Sequence, residues 1–101
     1  MKTHLEDLKR EVGEGRAQIV DIREQHEWDA GHLRDATFIP LSHLASGAKP
    51  RGLDAQKTVY VYCRSGRRVK QAGPILEGHG YKVVQVFEGF EELVREGFDP
   101  A

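Results

Sequence analysis

Thr58-Val59-Tyr60-Val61-Tyr62 is a run of β-branched and aromatic residues, and it ends at Cys63, the only cysteine of the chain. Such a run reads as a buried strand. Arg64-Ser65-Gly66-Arg67-Arg68 follows at once, and then Val69, Ala72 and Leu76 recur at helical spacing. A strand, a tight loop and a helix start together aim backbone N–H groups at an anion. Gly66 permits a turn that a Cβ would obstruct. Positive charge and a helix N-terminus both favour a thiolate. Cys63 therefore reads as a nucleophile, and Arg64, Ser65, Gly66, Arg67 and Arg68 as its anion pocket. A buried core cysteine would need neither the strand-end position nor three arginines behind it. Arg68 opens a helix, where its charge opposes the macrodipole, so a binding or ion-pair role is expected for it.

The rest of the chain alternates strands with helices. Thr3-His4-Leu5-Glu6 reads as a capping box, with Thr3 at the N-cap of a helix that carries Leu5, Leu8 and Val12 on one face. Ala17 to Ile22 is a short apolar strand ending in the charged pair Asp21 and Arg23. Glu24 to about Asp29 reads as a short helix with Trp28 in the core. Thr37 to Pro40 is a brief strand, and Ser42 can cap a short helix through Leu44. Ala45 to Asp54 reads as a surface loop. The helix from Arg67 to about Glu77 contains Pro74, which should kink or shorten it. Lys82 to Phe87 is the last strand, and Phe90 to Glu96 the last helix. This alternation predicts an α/β fold, a mostly parallel sheet of about four to five strands with helices on both faces.

At 101 residues the chain is expected to form a single domain, residues 1–101. A net charge of -1 gives no overall field for nucleic acid. No apolar run approaches the roughly 20 residues of a membrane span, and the charged N-terminus lacks a signal-peptide core, so a cytoplasmic protein is expected. One cysteine excludes an internal disulfide and a resolving thiol. His4, His26, His43 and His79 lack ligand spacing, and neither a metal nor a cofactor is expected.

Val59 to Arg68, taken with Ile19-Val20-Asp21-Ile22-Arg23-Glu24, Glu27-Trp28 and Gly31-His32-Leu33, resembles the single-domain rhodanese (thiosulfate sulfurtransferase) family. Gly80 to Gly89 is similar to that family's last strand and the turn after it. The resemblance implies that Cys63 takes a sulfane sulfur from a small anionic donor such as thiosulfate and holds it as a persulfide. A thiol, cyanide or another protein then collects it. Asp21 and Arg23 would be a supporting pair near the loop, and His32 a packing residue. A monomer or weak dimer is expected. The chain departs from the family at Arg34-Asp35-Ala36, Val69, Phe90 and Leu93, which bears on the rim of the site.

Two other functions fit parts of this pattern. Phosphatases and arsenate reductases of related type place an arginine six residues after the cysteine, but that position here is Val69 and Arg68 falls one short. A persulfide relay that docks a partner, with little thiosulfate turnover, would carry the same loop.

Overall fold

The computed structural model describes residues 1–101. Four apolar segments form the strands: β1 Ala17–Asp21, β2 Ala36–Phe38, β3 Thr58–Tyr62 and β4 Val83–Gln85. All pair in parallel, in the order β2-β1-β3-β4. Parallel neighbours cannot be joined by tight hairpins and need crossovers. α2 (Gln25–Ala30), α3 (Leu41–Ala45) and α4 (Val69–Gly78) lie in those crossovers, while α1 (Thr3–Gly13) precedes β1 and α5 (Phe90–Arg95) follows β4.

The period of two along a strand sorts the core into two layers. Val59, Val61 and Cys63 face one side with Val20 and Ile22, against Leu44 of α3 and Val69, Ala72 and Leu76 of α4. Tyr62 faces the other side with Ile19, against Leu5 and Leu8 of α1 and Leu93 of α5. The sheet is thus covered on both faces, as its alternation of elements implies. Burying each of these leucines contributes roughly 1.5–3 kcal/mol. Two departures from the family pattern, Val69 and Leu93, are fully buried here and simply fill these layers.

Several local expectations are corrected. Thr3 does not cap α1: Lys2 is the N-cap, and no side chain caps the helix. The Lys2 carbonyl takes the N–H groups of Leu5 and Glu6, both at 3.0 Å, and the Lys2 ammonium bonds Glu88 at 3.0 Å. A tertiary contact thereby anchors this helix start. Ser42 does not cap α3 either, since Pro40 is its N-cap; the Ser42 hydroxyl donates to Glu24 at 2.7 Å. Trp28 is half-buried and outside both core layers. Its ring stacks on His32 with centroids 3.5 Å apart, and the His32 Nδ1 lies 3.0 Å from the Trp28 carbonyl. α4 begins at Val69, later than expected, and continues through Pro74. Both Pro74 and Lys70, whose carbonyl it cannot bond, are exposed, so the proline lies on the outer face of the helix.

Candidate active site

The carboxyl ends of β1 and β3 lie side by side, with Asp21 in register with Tyr62. β2 pairs with β1 on its other flank, so the chain reverses its direction across the sheet at this point. In open parallel sheets, ligands bind outside the strand ends at such a switch. Cys63 directly follows the end of β3, and Arg23 stands two positions beyond the end of β1.

Cys63 is fully buried. Its Sγ accepts a hydrogen bond from the Gly66 N–H at 3.2 Å, so the loop curls back over the thiol. The N–H groups of Arg64, Ser65, Arg67 and Arg68 donate to no acceptor in the chain. Gly66 has φ +80, a value that favours glycine. A Cβ at Gly66 would stand 2.4 Å from the Phe87 carbonyl oxygen, and one at Gly89 would stand 1.7 Å from that of Arg64. The turn Phe87–Gly89 is therefore the floor of the loop, packed backbone to backbone. The Phe90 N–H also donates to the Cys63 carbonyl at 3.0 Å. Glu88 in that turn is buried, and Lys2 at 3.0 Å and His4 at 2.8 Å hold it. Despite the opposing effect of burial, those partners keep its carboxyl below the usual range.

Arg68 is the N-cap of α4. Its guanidinium grips Glu27 of α2 with both nitrogens, at 2.6 and 2.8 Å. Of the two roles open to Arg68 from its place in the sequence, the structure displays the ion pair. Glu27 also accepts from the Glu24 N–H at 3.0 Å, completing a capping box at the start of α2. The Arg68 hydrogen bonds push the Glu27 carboxyl down to about 2. Arg64 and Arg67 are exposed.

Asp21 and Arg23 form a buried pair. Arg23 Nη2 donates to Asp21 Oδ2 at 2.7 Å and Nε to Oδ1 at 3.0 Å, and its backbone N–H donates to Oδ1 at 2.9 Å. Tyr62 donates its hydroxyl proton to Asp21 at 2.6 Å and accepts from the Leu33 N–H at 3.1 Å. Burial pushes the Tyr62 phenol upward, which keeps that proton in place. Arg23 also donates to the Gly31 carbonyl at 2.6 Å and lies 4.4 Å from the centre of the Phe90 ring. The network ties β1, β3 and the segment after α2 into one wall beside the loop.

The structure thus gathers Asp21, Arg23 and the whole Cys63–Arg68 loop at one sheet edge. Glu27, Tyr62, Glu88 and Gly89 also belong to this wall though nothing in the sequence marks them as site residues, and Phe90, expected at the rim, joins them. Glu27 had one signal, its place three residues after Glu24, but that spacing marks a helix start and not an ion pair. No group of three or more His, Cys, Asp and Glu side chains is placed to hold a metal ion. No helix is long and apolar enough to cross a membrane.

The model of the Rhodanese-like domain family matches residues 4–96. The chain is 31% identical over 108 residues to the thiosulfate:glutathione sulfurtransferase of Saccharomyces cerevisiae, covering 93% of this chain and 78% of that one. It is 30% identical over 90 residues to the putative sulfur carrier protein YrkF of Bacillus subtilis, covering 87% of this chain but only 48% of that longer protein. Among solved structures, a rhodanese-related protein from Thermoplasma volcanium superposes with a TM-score of 0.79 at 27% identity, covering 96% of this chain and 93% of the other.

Proposed function

This chain belongs to the rhodanese-like domain family, and from that premise we propose that it is a sulfurtransferase working through a persulfide on Cys63, with thiosulfate as a donor. The observation that carries the reading is the seat of the thiol. Cys63 ends a central strand inside a loop whose free N–H groups and flanking Arg64 and Arg67 suit an anion. The Cys63 thiolate attacks the outer sulfur of thiosulfate. A new S–S bond forms, the bond of that sulfur to the sulfonate breaks, and sulfite leaves with the electron pair. Amide donors stabilise the charge on the entering and leaving groups. The outer sulfur then passes to a thiophilic acceptor, a thiol, cyanide or a protein.

The buried position of Val69 supports this reading over phosphatase or arsenate reductase chemistry. Where those enzymes place an arginine, this chain places a core residue, and the shorter ring suits one sulfur atom. A relay between proteins is the second reading, favoured by the likeness to the putative sulfur carrier. A thiocyanate-forming assay with thiosulfate and cyanide, run beside Cys63→Ser, tests the two. Turnover in the wild type alone is expected. Equal rates in both proteins would sink the nucleophile. No turnover, with one sulfur atom still added to Cys63 by mass spectrometry after exposure to a donor, would favour the relay.

A further inference from the structure

The turn Phe87–Gly89 meets the Cys63 loop at two points. A Cβ at Gly66 would stand 2.4 Å from the Phe87 carbonyl oxygen, and one at Gly89 would stand 1.7 Å from that of Arg64. Between those two contacts stands Glu88, which is buried while Phe87 beside it is exposed. Glu88 Oε2 lies 3.0 Å from Lys2 Nζ and 2.8 Å from His4 Nε2, and these are its only ion pairs. Both partners come from the start of α1, 86 and 84 positions away in the chain. Leaving a buried carboxylate without partners is costly, so the turn stays where Lys2 and His4 hold it. The path from α1 to the thiol is continuous. Lys2 and His4 hold Glu88, the turn abuts Arg64 and Gly66, and the Gly66 N–H donates to Cys63 Sγ at 3.2 Å.

We propose that Glu88 is a positioning residue for sulfur transfer at Cys63: gripped by Lys2 and His4, it fixes the turn against the loop and so keeps the loop N–H groups aimed at the sulfur. The inference rests on the persulfide reading above. Glu88 touches neither donor nor reacting sulfur and acts through packed backbone, which transmits a displacement instead of absorbing it. Donors that stabilise a developing charge work only when they are aimed in advance. The grip has one fixed and one variable part. Glu88 holds the Lys2 ammonium above its ordinary range, so Lys2 is charged at neutral pH. A histidine changes charge between roughly pH 5 and 8; neutral, it still donates one N–H but brings no charge to the carboxylate. Glu92 of α5, which Lys2 also bonds at 3.2 Å, is the other acid at this grip.

The rate of sulfur loading on Cys63 from thiosulfate is followed by quenched-flow mass spectrometry, with urea unfolding measured in parallel. Glu88→Gln keeps the size of the side chain and removes its charge. Val12→Ala, partly buried at the far end of α1 from Lys2, is the control for lost stability. A misplacement of about 1 Å costs on the order of 100-fold, so a slackened grip in Glu88→Gln is expected to slow loading about tenfold. Val12→Ala should load at the wild-type rate where both variants remain folded. Lys2→Met leaves His4 as the one ion-pair partner of Glu88 and keeps the Lys2 carbonyl that receives the first N–H groups of α1. Its rate relative to wild type should fall roughly threefold from about pH 5.5 to about 8, the size of one partly exposed ion pair lost as the imidazole gives up its charge. In Lys2→Met/His4→Gln the same ratio should be low and flat. A Glu88→Gln rate equal to that of Val12→Ala, or a flat Lys2→Met ratio, overturns this inference alone. Failure of the wild type to load Cys63 overturns the persulfide reading and this inference together.

Discussion

Arg68 and Glu27 meet side by side, Nη1 to Oε1 at 2.6 Å and Nη2 to Oε2 at 2.8 Å, and so join the Cys63 loop to α2. A cation at the start of α4 opposes the helix dipole, and the Glu27 carboxylate offsets it. Arg68 is thereby engaged inside the protein, and Arg64 and Arg67 remain the open cations of the loop.

This pair predicts an acid-sensitive share of stability. Arg68 holds the Glu27 carboxyl at about 2, against an ordinary 4.5. A carboxyl lowered by folding stabilises above its unfolded pKa and loses that contribution as pH falls toward the folded value. Glu27→Gln should cost about 1–2 kcal/mol at neutral pH, a charge-assisted bond discounted for partial exposure. In urea denaturation, the gap between wild type and variant should close between pH 4.5 and about 2. A constant gap across that window would show that Glu27 does not act through its charge.

The loop floor predicts a steric effect on activity. Gly89→Ala places a Cβ 1.7 Å from the Arg64 carbonyl oxygen, so backbone must move. Overpacking of this kind costs roughly 1–3 kcal/mol. The rate of sulfur loading on Cys63 should fall along with stability. Ser65→Ala is the control for stability: the residue is exposed, and its hydroxyl bonds nothing in the chain, so its unfolding midpoint should stay within about 0.5 kcal/mol of wild type.

The buried wall predicts two unequal losses. Tyr62→Phe removes one donor and leaves the Leu33 N–H without its acceptor, at a cost of about 1–3 kcal/mol. Asp21→Ala strands the Arg23 charge, whose side chain is only 5% exposed, and should cost about 3–5 kcal/mol. Calorimetry or denaturant unfolding orders the two variants, and the reverse order would refute this account of the pair.

The arginines should separate by readout. Arg64→Ala is expected to raise the KM for thiosulfate about tenfold, as loss of one charge-assisted contact does, with little change in unfolding. Arg68→Ala should lower the unfolding midpoint, because it leaves Glu27 without its partner. A destabilised Arg64 variant with unchanged KM would contradict this division.

The alternation of apolar strands with helical spacing predicts the parallel sheet, and the period of two in Val59-Tyr60-Val61-Tyr62 already separates its two faces. Cys63, Gly66 and the arginines stand together in the chain, so their assembly is visible there. Helix starts are less legible in the sequence. Thr3 and Ser42 have capping side chains, but distant partners such as Glu88 and Glu24 set how those helix starts are held. Trp28 is large and apolar, which suggests core, yet it is half-buried and stacks on His32 and Phe38 outside both layers.

By itself the sequence determined the strand faces, the make-up of the loop and the family pattern, because each depends on residues within a few positions of one another. Only the tertiary structure decided the wall around Cys63. Arg68 and Glu27 are 41 positions apart, as are Tyr62 and Asp21, and Lys2 and Glu88 are 86 apart. No local periodicity marks such pairs, since they form only when the strand order β2-β1-β3-β4 brings separate loops to one edge. That order is selected by burying both faces of the sheet at once, a free energy summed over the whole chain. It engages Arg68 inside the protein and leaves Arg64 and Arg67 exposed.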